Sequence, residues 1–401
     1  MPSTATQPSS RPAEPNPIPR VLPAPPEPKK GQKPKPDPNA AFVGPDGFKL
    51  IHPQILEHDR EIAFANFSPC GKFLFAGSYD GRLYRWTLDG GAISIFEGHG
   101  GWLQSIVFHP DGKRAFSADS WGQILCWNYA DETPKPIWKR EECHKRWMRS
   151  MAISPDGKTL ATCGGDCAVR AWNTDNGSLT TELATLPDDL LTAHFHPDGA
   201  LLVGDLMGKI HQFDVATKKV TRTLDASILH LHPTSSGFKE INDVGGVRAM
   251  TSDPQGKYLI AAGSQPATSG FVTGKPTTLC FDFASGKLEH TWQWTGVDPS
   301  EVFVMGVTWH PAGYVLAASS GQPGKGAIAG WKPGEAKEIY LSKSFAHSRT
   351  VSVHPDGKHV AIVQVLIKQG EGAGNGRRTN KNGEYVGLYS QVKVFDTTAN
   401  V

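Results

Sequence analysis

The sequence predicts an all-β fold, seven four-stranded antiparallel sheets set radially as the blades of one propeller, and three observations predict it. A turn of the form Ser/His/Asp-Pro-x-Gly recurs seven times; alternating apolar runs flank each turn; and no sustained helical period occurs anywhere in the 401 residues. Indexed by their prolines, the turns fall at Pro69, Pro110, Pro155, Pro197, Pro254, Pro311 and Pro355, with spacings of 41, 45, 42, 57, 57 and 44. Those intervals sit at or above the ~40 to 45 residues that one four-stranded blade consumes.

Each element follows from its residues. Proline presets the backbone at the second turn position, and glycine accepts the left-handed conformation that closes the hairpin. Before the turn runs a strand of period two, such as Leu103 to Phe108 or Met148 to Ile153. After it comes a second short run, such as Lys158 to Thr162, then a Gly/Asp turn, then a third run ending on a bulky aromatic. That aromatic trails the proline by 17 residues at Trp86, Trp127 and Trp172, by 16 at Phe213, and by 20, 27 and 40 at Trp331, Phe281 and Phe395. The surplus residues must therefore enter between the second and third strands.

Residues 1 to 41 read differently. They hold 13 of the 31 prolines and almost no aromatic or β-branched residues, so they cannot bury enough surface to offset chain entropy. A disordered tail with polyproline-II character is expected there, acting as a solubilising tether or as a ligand for a proline-recognising domain or an anionic surface, and a propeller over 42 to 401. The tail carries six Lys/Arg and three Asp/Glu, a charge of +3, which leaves −1 of the total +2 for the remainder.

Composition narrows the function. A charge of +2 gives no global steering toward nucleic acid or anionic membrane. No run approaches the ~18 apolar residues of a membrane span, and the N-terminus lacks a signal-peptide core. The cysteines at 70, 126, 143, 163, 167 and 280 form no Cys-x-x-Cys pair, so free thiols and a reducing cytoplasm are expected.

The run Glu97-Gly98-His99-Gly100-Gly101-Trp102, the turn Ser154-Pro155-Asp156-Gly157-Lys158, and Ala161 to Asp166 leading to Trp172 carry a resemblance over about 350 residues. The chain resembles a divergent member of the WD-repeat β-propeller family. That resemblance implies a buried His, Ser/Thr, Asp and Trp tetrad in each blade. The third repeat supplies all four, His144, Thr162, Asp166 and Trp172. The first has His58, Asp80 and Trp86 but Ala76 at the hydroxyl position; the second has His99, Ser117 and Trp127 but Trp121 where Asp belongs. Repeats four to seven lack the histidine, and no literal Trp-Asp dipeptide occurs.

Ring closure is expected at the chain ends. The seventh repeat reaches Val401 without an outer strand of its own, and Phe48 to Leu56 resembles the outer strands elsewhere, so it is expected to complete that blade and remove the open edges.

Several groups resemble reactive sites. His109, His196, His310 and His354 precede turn prolines one per blade, which spreads them round a rim rather than on one ion. His230-x-His232 lacks a third ligand. His144, Thr162 and Asp166 belong inside a blade, not beside an oxyanion hole. The glycine-rich run ending in Arg377 and Arg378 lacks the Gly-Lys-Ser/Thr close and the helix of a phosphate loop, and 364 to 389 reads as a mobile hairpin extension. Neither a metal nor a cofactor is expected, and the scarcity of stacking aromatics near Lys368, Arg377, Arg378 and Lys381 weighs against nucleic acid.

One face gathers the irregularities. The extensions at 263 to 276, 321 to 326, 364 to 389 and 225 to 245 all open on it, and loops on a rigid scaffold carry function. Eight residues before each turn proline stand Glu61, Trp102, Trp147, Asp189, Gly246, Phe303 and His347, expected to edge the central opening, with Tyr79 and Trp121 in neighbouring turns. Tryptophan, tyrosine and arginine dominate protein interfaces. The expected function is therefore a non-enzymatic, monomeric interaction scaffold that binds a protein or peptide through Trp102, Trp147, Tyr79, Trp121, Phe303, His347, Arg377 and Arg378. The alternative is a propeller enzyme, a lactonase-like hydrolase or quinone-dependent dehydrogenase, with Glu61, Asp189 and His347 converging at the opening.

Overall fold

The computed structural model describes residues 20–22, 49–58, 60–231, 244–266, 274–297, 303–321, 325–367 and 388–398. Seven antiparallel sheets follow one another round a ring. Blade 1 is Ile62–Phe67, Phe73–Ser78, Leu83–Thr87 and Ile93–Phe96, and blade 2 is Leu103–Phe108, Arg114–Asp119, Ile124–Asn128 and Pro136–Arg140. Blade 3 runs from Met148–Ile153 to Leu179–Thr185, blade 4 from Leu190–Phe195 to Lys219–Asp225, blade 5 from Ala249–Ser252 to Lys287–Gln293, and blade 6 from Phe303–His310 to Tyr340–Ser342. Among the described residues, helix is confined to one 3-10 turn, Ser227–Leu229.

Blade 7 is composite. Ser348–Val353, His359–Ile367 and Leu388–Thr398 are its inner three strands, and Lys49–His58, from the other end of the sequence, is its fourth. Pairing runs from Lys49 opposite Thr398 to His58 opposite Ser390, and the register slips across His52 and Pro53, where proline has no N–H to give the ladder. Arg20–Leu22 pairs along the outer edge of this strand. The rest of the proline-rich segment 1 to 41 lies outside the described residues.

The apolar core is divided among the seams between blades. Seven clusters of buried residues each draw on two neighbouring sheets; one joins Leu74, Tyr84 and Trp86 of blade 1 to Ala361, Val363 and Val392 of blade 7. The strand-closing aromatics Trp86, Trp127, Trp172, Phe213, Phe281, Trp331 and Phe395 are all buried in these seams.

Three of the turn histidines staple the seams from one side. The Nε2 of His109 donates to the Gly157 carbonyl at 2.8 Å, that of His196 to Gly256 at 3.0 Å, and that of His354 to Gly71 at 2.7 Å. Each bond runs from one blade's turn to the turn of the next, and the last joins blade 7 to blade 1. The receiving glycines hold φ near +70°, and a Cβ there would lie under 3 Å from the imidazole, so the approach requires glycine. His310, at the corresponding turn of blade 6, stacks on Tyr314 at 4.2 Å.

The insertions extend existing elements. In blade 5 the central hairpin lengthens as Tyr258–Pro266 pairs with Gly274–Asp282, and in blade 7 pairing continues to Ile367 opposite Leu388. Between blades 4 and 5, His230–Leu231 pairs with Val244–Gly245. The intervening residues, His232, Lys368, Arg377, Arg378 and Lys381 among them, lie outside the described residues.

Candidate functional site

The tetrads are internal to the blades. In blade 3 the Trp172 indole N–H donates to Thr162 Oγ1 at 2.9 Å, Thr162 Oγ1 lies 2.8 Å from His144 Nε2, and His144 Nδ1 lies 2.7 Å from Asp166. Burial opposes ionisation of Asp166, but the bonds from His144 and Arg170 outweigh it and hold the carboxyl well below its usual range. Thr162 is fully buried, so the group has no exposed nucleophile.

Blade 2 repeats this chain through Trp127, Ser117 and His99, with bonds of 2.8 and 2.6 Å. Its acid corrects the sequence reading: Asp119, two residues before Trp121, lies 3.3 Å from His99 Nδ1 and accepts from the backbone of Gly101 and Trp121. The two hairpins are in register, Asp119 standing where blade 3 has Gly164, so the acid comes two residues before the counted position. In blade 1 Ala76 offers no oxygen. The Trp86 indole nitrogen there has no partner, His58 presents Nε2 to Asp80 at 3.3 Å, and the Tyr84 hydroxyl donates to Asp80 at 2.6 Å.

The residues eight before the turn prolines occupy equivalent places. The backbone carbonyls of Glu61, Trp102, Trp147, Asp189 and His347 each accept from an N–H in the central hairpin of the same blade, at 2.8 to 3.1 Å. Side chains on blades 1 to 3 form one aromatic cluster. Tyr79 stacks on Trp102 at 4.9 Å and 16°, and Trp102 meets Trp147 edge-on at 5.8 Å. Trp102, Trp121 and Trp147 are 45, 64 and 47 % exposed, which is unusual for the largest apolar side chain. With Tyr79 and the Gly100-Gly101 turn they line a cavity of about 210 Å³.

Phe303 and His347 stand apart from that cluster on blades 6 and 7, both half-buried. Phe303 lies under the Arg248 guanidinium at 4.7 Å. Burial, and then Arg349, push the His347 pKa down. The polar trio of the enzyme alternative is separately engaged: Glu61 pairs with Arg349, and Asp189 lies 3.6 Å from Arg146. Glu61, Asp189 and His347 do not form a metal-holding group among the described residues. The one such group is His354, Asp356 and His359, in a turn where the Asp356 carboxylate lies 2.7 and 3.0 Å from the two rings. All six cysteines are free, and burial pushes the Cys163 and Cys167 thiols up.

A recurrent backbone irregularity was not anticipated from the sequence. In six inner strands the pairing slips across the residue six before the turn proline: Ala63, Gln104, Arg149, Leu191, Met305 and Arg349. In blade 5, Arg248 precedes Ala249 and both address Ala262. A β-bulge leaves one residue out of the ladder and re-aims its side chain. The innermost strands border the axis, so these seven positions form a ring just inside the rim, three of them arginine.

Residues 52–87, 90–128 and 135–173 match the family model described as WD domain, G-beta repeat. Over 89 residues the chain is 32% identical to the WD repeat and FYVE domain-containing protein 2 of Caenorhabditis elegans, covering 21% of each chain. It is 30% identical over 104 residues to the nuclear distribution protein nudF of Emericella nidulans, covering 24% of this chain and 23% of that one. It is 34% identical over 132 residues to the pre-rRNA-processing protein crb3/ipi3 of Schizosaccharomyces pombe, covering 29% and 30%. The matched stretches thus span between about a fifth and a third of these relatives.

Proposed function

This chain is a divergent WD-repeat β-propeller, and we propose that it works as a non-enzymatic interaction scaffold whose loop-rich face binds a protein or peptide. The observation that carries the reading is the exposed cluster of Tyr79, Trp102, Trp121 and Trp147 at one edge of the central opening. Exposed indoles over a formed cavity lose little side-chain entropy on binding and bury much apolar area. A single propeller in the cytoplasm, with the proline-rich segment as its tether, completes the proposal.

Replacing Trp102 and Trp147 together with alanine tests it. The seams hold neither side chain, so melting should stay within a few degrees of the parent while partner capture, read by affinity purification and mass spectrometry, is lost. Retained capture by a folded double variant would reject this face.

A further inference from the structure

Counting turn histidines one per blade passes over His359. In blades 2, 4 and 7 the residue whose carbonyl accepts from the N–H of the turn histidine is Arg114, Ala200 and His359. All three turns set an aspartate against the histidine's Nδ1, at 3.0 Å for His109 and Asp111, 2.8 Å for His196 and Asp198, and 2.7 Å for His354 and Asp356. In blade 2 Arg114 answers that carboxylate with a guanidinium, its Nε donating to Asp111 at 2.8 Å. In blade 4 the alanine adds nothing. In blade 7 a second imidazole stands there, its Nδ1 3.0 Å from Asp356 and its Nε2 3.2 Å from Asp396, the residue opposite His359 on the next strand.

The protons in this cluster do not go round. A carbonyl only accepts, so the bond to Gly71 fixes the His354 proton on Nε2 and leaves the lone pair of Nδ1 facing Asp356. Neutral His359 has a single proton for the two carboxylates it faces. Among the described residues neither Asp356 nor Asp396 pairs with a lysine or arginine, so two negative charges stand over two neutral rings. Both rings are also held from outside, His354 by the Gly71 carbonyl and His359 by the Asp396 carboxylate beside its Nε2. Imidazoles that bind a metal are oriented this way, the nitrogen away from the ion serving a carbonyl or carboxylate. One ligand atom from each of His354, Asp356 and His359 lies within 4.8 Å of the other two. On a tetrahedral ion with bonds of ~2.0 to 2.1 Å the ligands stand roughly 3.3 Å apart, a gap that half-exposed side chains close by rotation.

We infer that His354, Asp356 and His359 bind a divalent transition metal of the zinc type at the turn of blade 7, with Asp396 positioning His359. Two imidazole nitrogens and a carboxylate oxygen suit zinc, whereas calcium and magnesium prefer oxygen throughout. A divalent ion cancels the two negative charges and gives both lone pairs an electrophile. The site lies on the face opposite the aromatic cluster and does not depend on the scaffold reading. It stands at the closure of the ring: His354 reaches Gly71 of blade 1, and Asp396 sits on the strand that pairs with Lys49–His58. An ion bound only by the folded chain therefore adds its binding energy to the seam that joins the chain ends.

The test is a calorimetric titration of the full chain with zinc, followed by melting with and without the ion. One zinc should bind per chain, and zinc at about a hundredfold its dissociation constant should raise the melting temperature by a few degrees. His359→Arg copies the arrangement of blade 2, so it should keep the zinc-free melting temperature while losing both the heat and the shift. Should that variant melt early, His359→Gln, at a half-exposed side chain, reads the same loss. Asp396→Asn should weaken binding on the order of tenfold. Asp198→Asn, in the turn of blade 4 that offers only one imidazole, should leave the affinity unchanged. A folded parent that gives no heat with zinc would overturn the assignment. So would a site that calcium or magnesium fills equally well, or unchanged zinc affinity in a folded His359 variant.

Discussion

Replacing Thr162 with valine isolates the tetrad of blade 3, because the two side chains differ by one hydroxyl and little volume. Thr162 Oγ1 accepts from the Trp172 indole at 2.9 Å, which leaves its proton for His144 Nε2 at 2.8 Å, while His144 Nδ1–H serves Asp166. Valine removes both bonds and leaves one buried donor and one buried acceptor unsatisfied, at ~1 to 3 kcal/mol each. The added methyl returns about 1 kcal/mol of apolar burial. The expected net loss is about 2 to 4 kcal/mol, read from urea unfolding followed by tryptophan fluorescence. Thr162→Ser keeps the oxygen and should cost only about 1 kcal/mol. In blade 1 the sign reverses: Ala76→Ser offers the unpartnered Trp86 indole an acceptor and should stabilise by about 0.5 to 1 kcal/mol. If the valine variant unfolds within ~0.5 kcal/mol of the parent, or serine damages blade 3 as much as valine does, the hydrogen-bond argument is wrong.

Other expectations concern the seams and the histidines. His354→Phe should destabilise by about 1 kcal/mol through loss of the Gly71 bond across the 7/1 seam; an unchanged unfolding midpoint would deny the staple. Deleting residues 42 to 57 strips the outer strand from blade 7 and should lower the melting temperature sharply, so an unchanged melt would contradict the closure. Burial pushes the pKa of His194 and of His310 down to about 4 from 6.5. The unfolded chain then takes up their protons first, so stability should fall as pH drops from about 6.5 to about 4, by up to roughly 3 kcal/mol for His194. His194→Gln should flatten that slope in unfolding midpoints taken across the interval; an unaltered slope would exonerate the residue.

The blade count was legible because each repeat advertises a turn whose residues are dictated by backbone geometry, and Pro-x-Gly leaves few alternatives. The closing aromatics were legible for a related reason, as each must fill a seam. Asp119 was not, because in blade 2 the acid ends the second strand, where blade 3 has Gly164, and an exposed side chain, Trp121, stands at the counted position. The arginines escaped as well. Arginine in a strand alternates like any polar residue, and only pairing shows that Arg149 and Arg349 sit on bulges. Reading six residues back from each turn proline would have collected them, as it collects Ala63, Gln104, Leu191 and Met305. Arg377 and Arg378 lie outside the described residues.

The composite seventh blade sets an order of events on the ribosome. Lys49–His58 emerges early, but the strand it must lie against, Leu388–Thr398, is made more than three hundred residues later. Throughout elongation that early strand must stay uncommitted while six sheets form beside it, each from contacts local in sequence. A nascent chain halted before Leu388 would leave its apolar residues, Leu56 among them, without a bed, a ready target for chaperones or proteases.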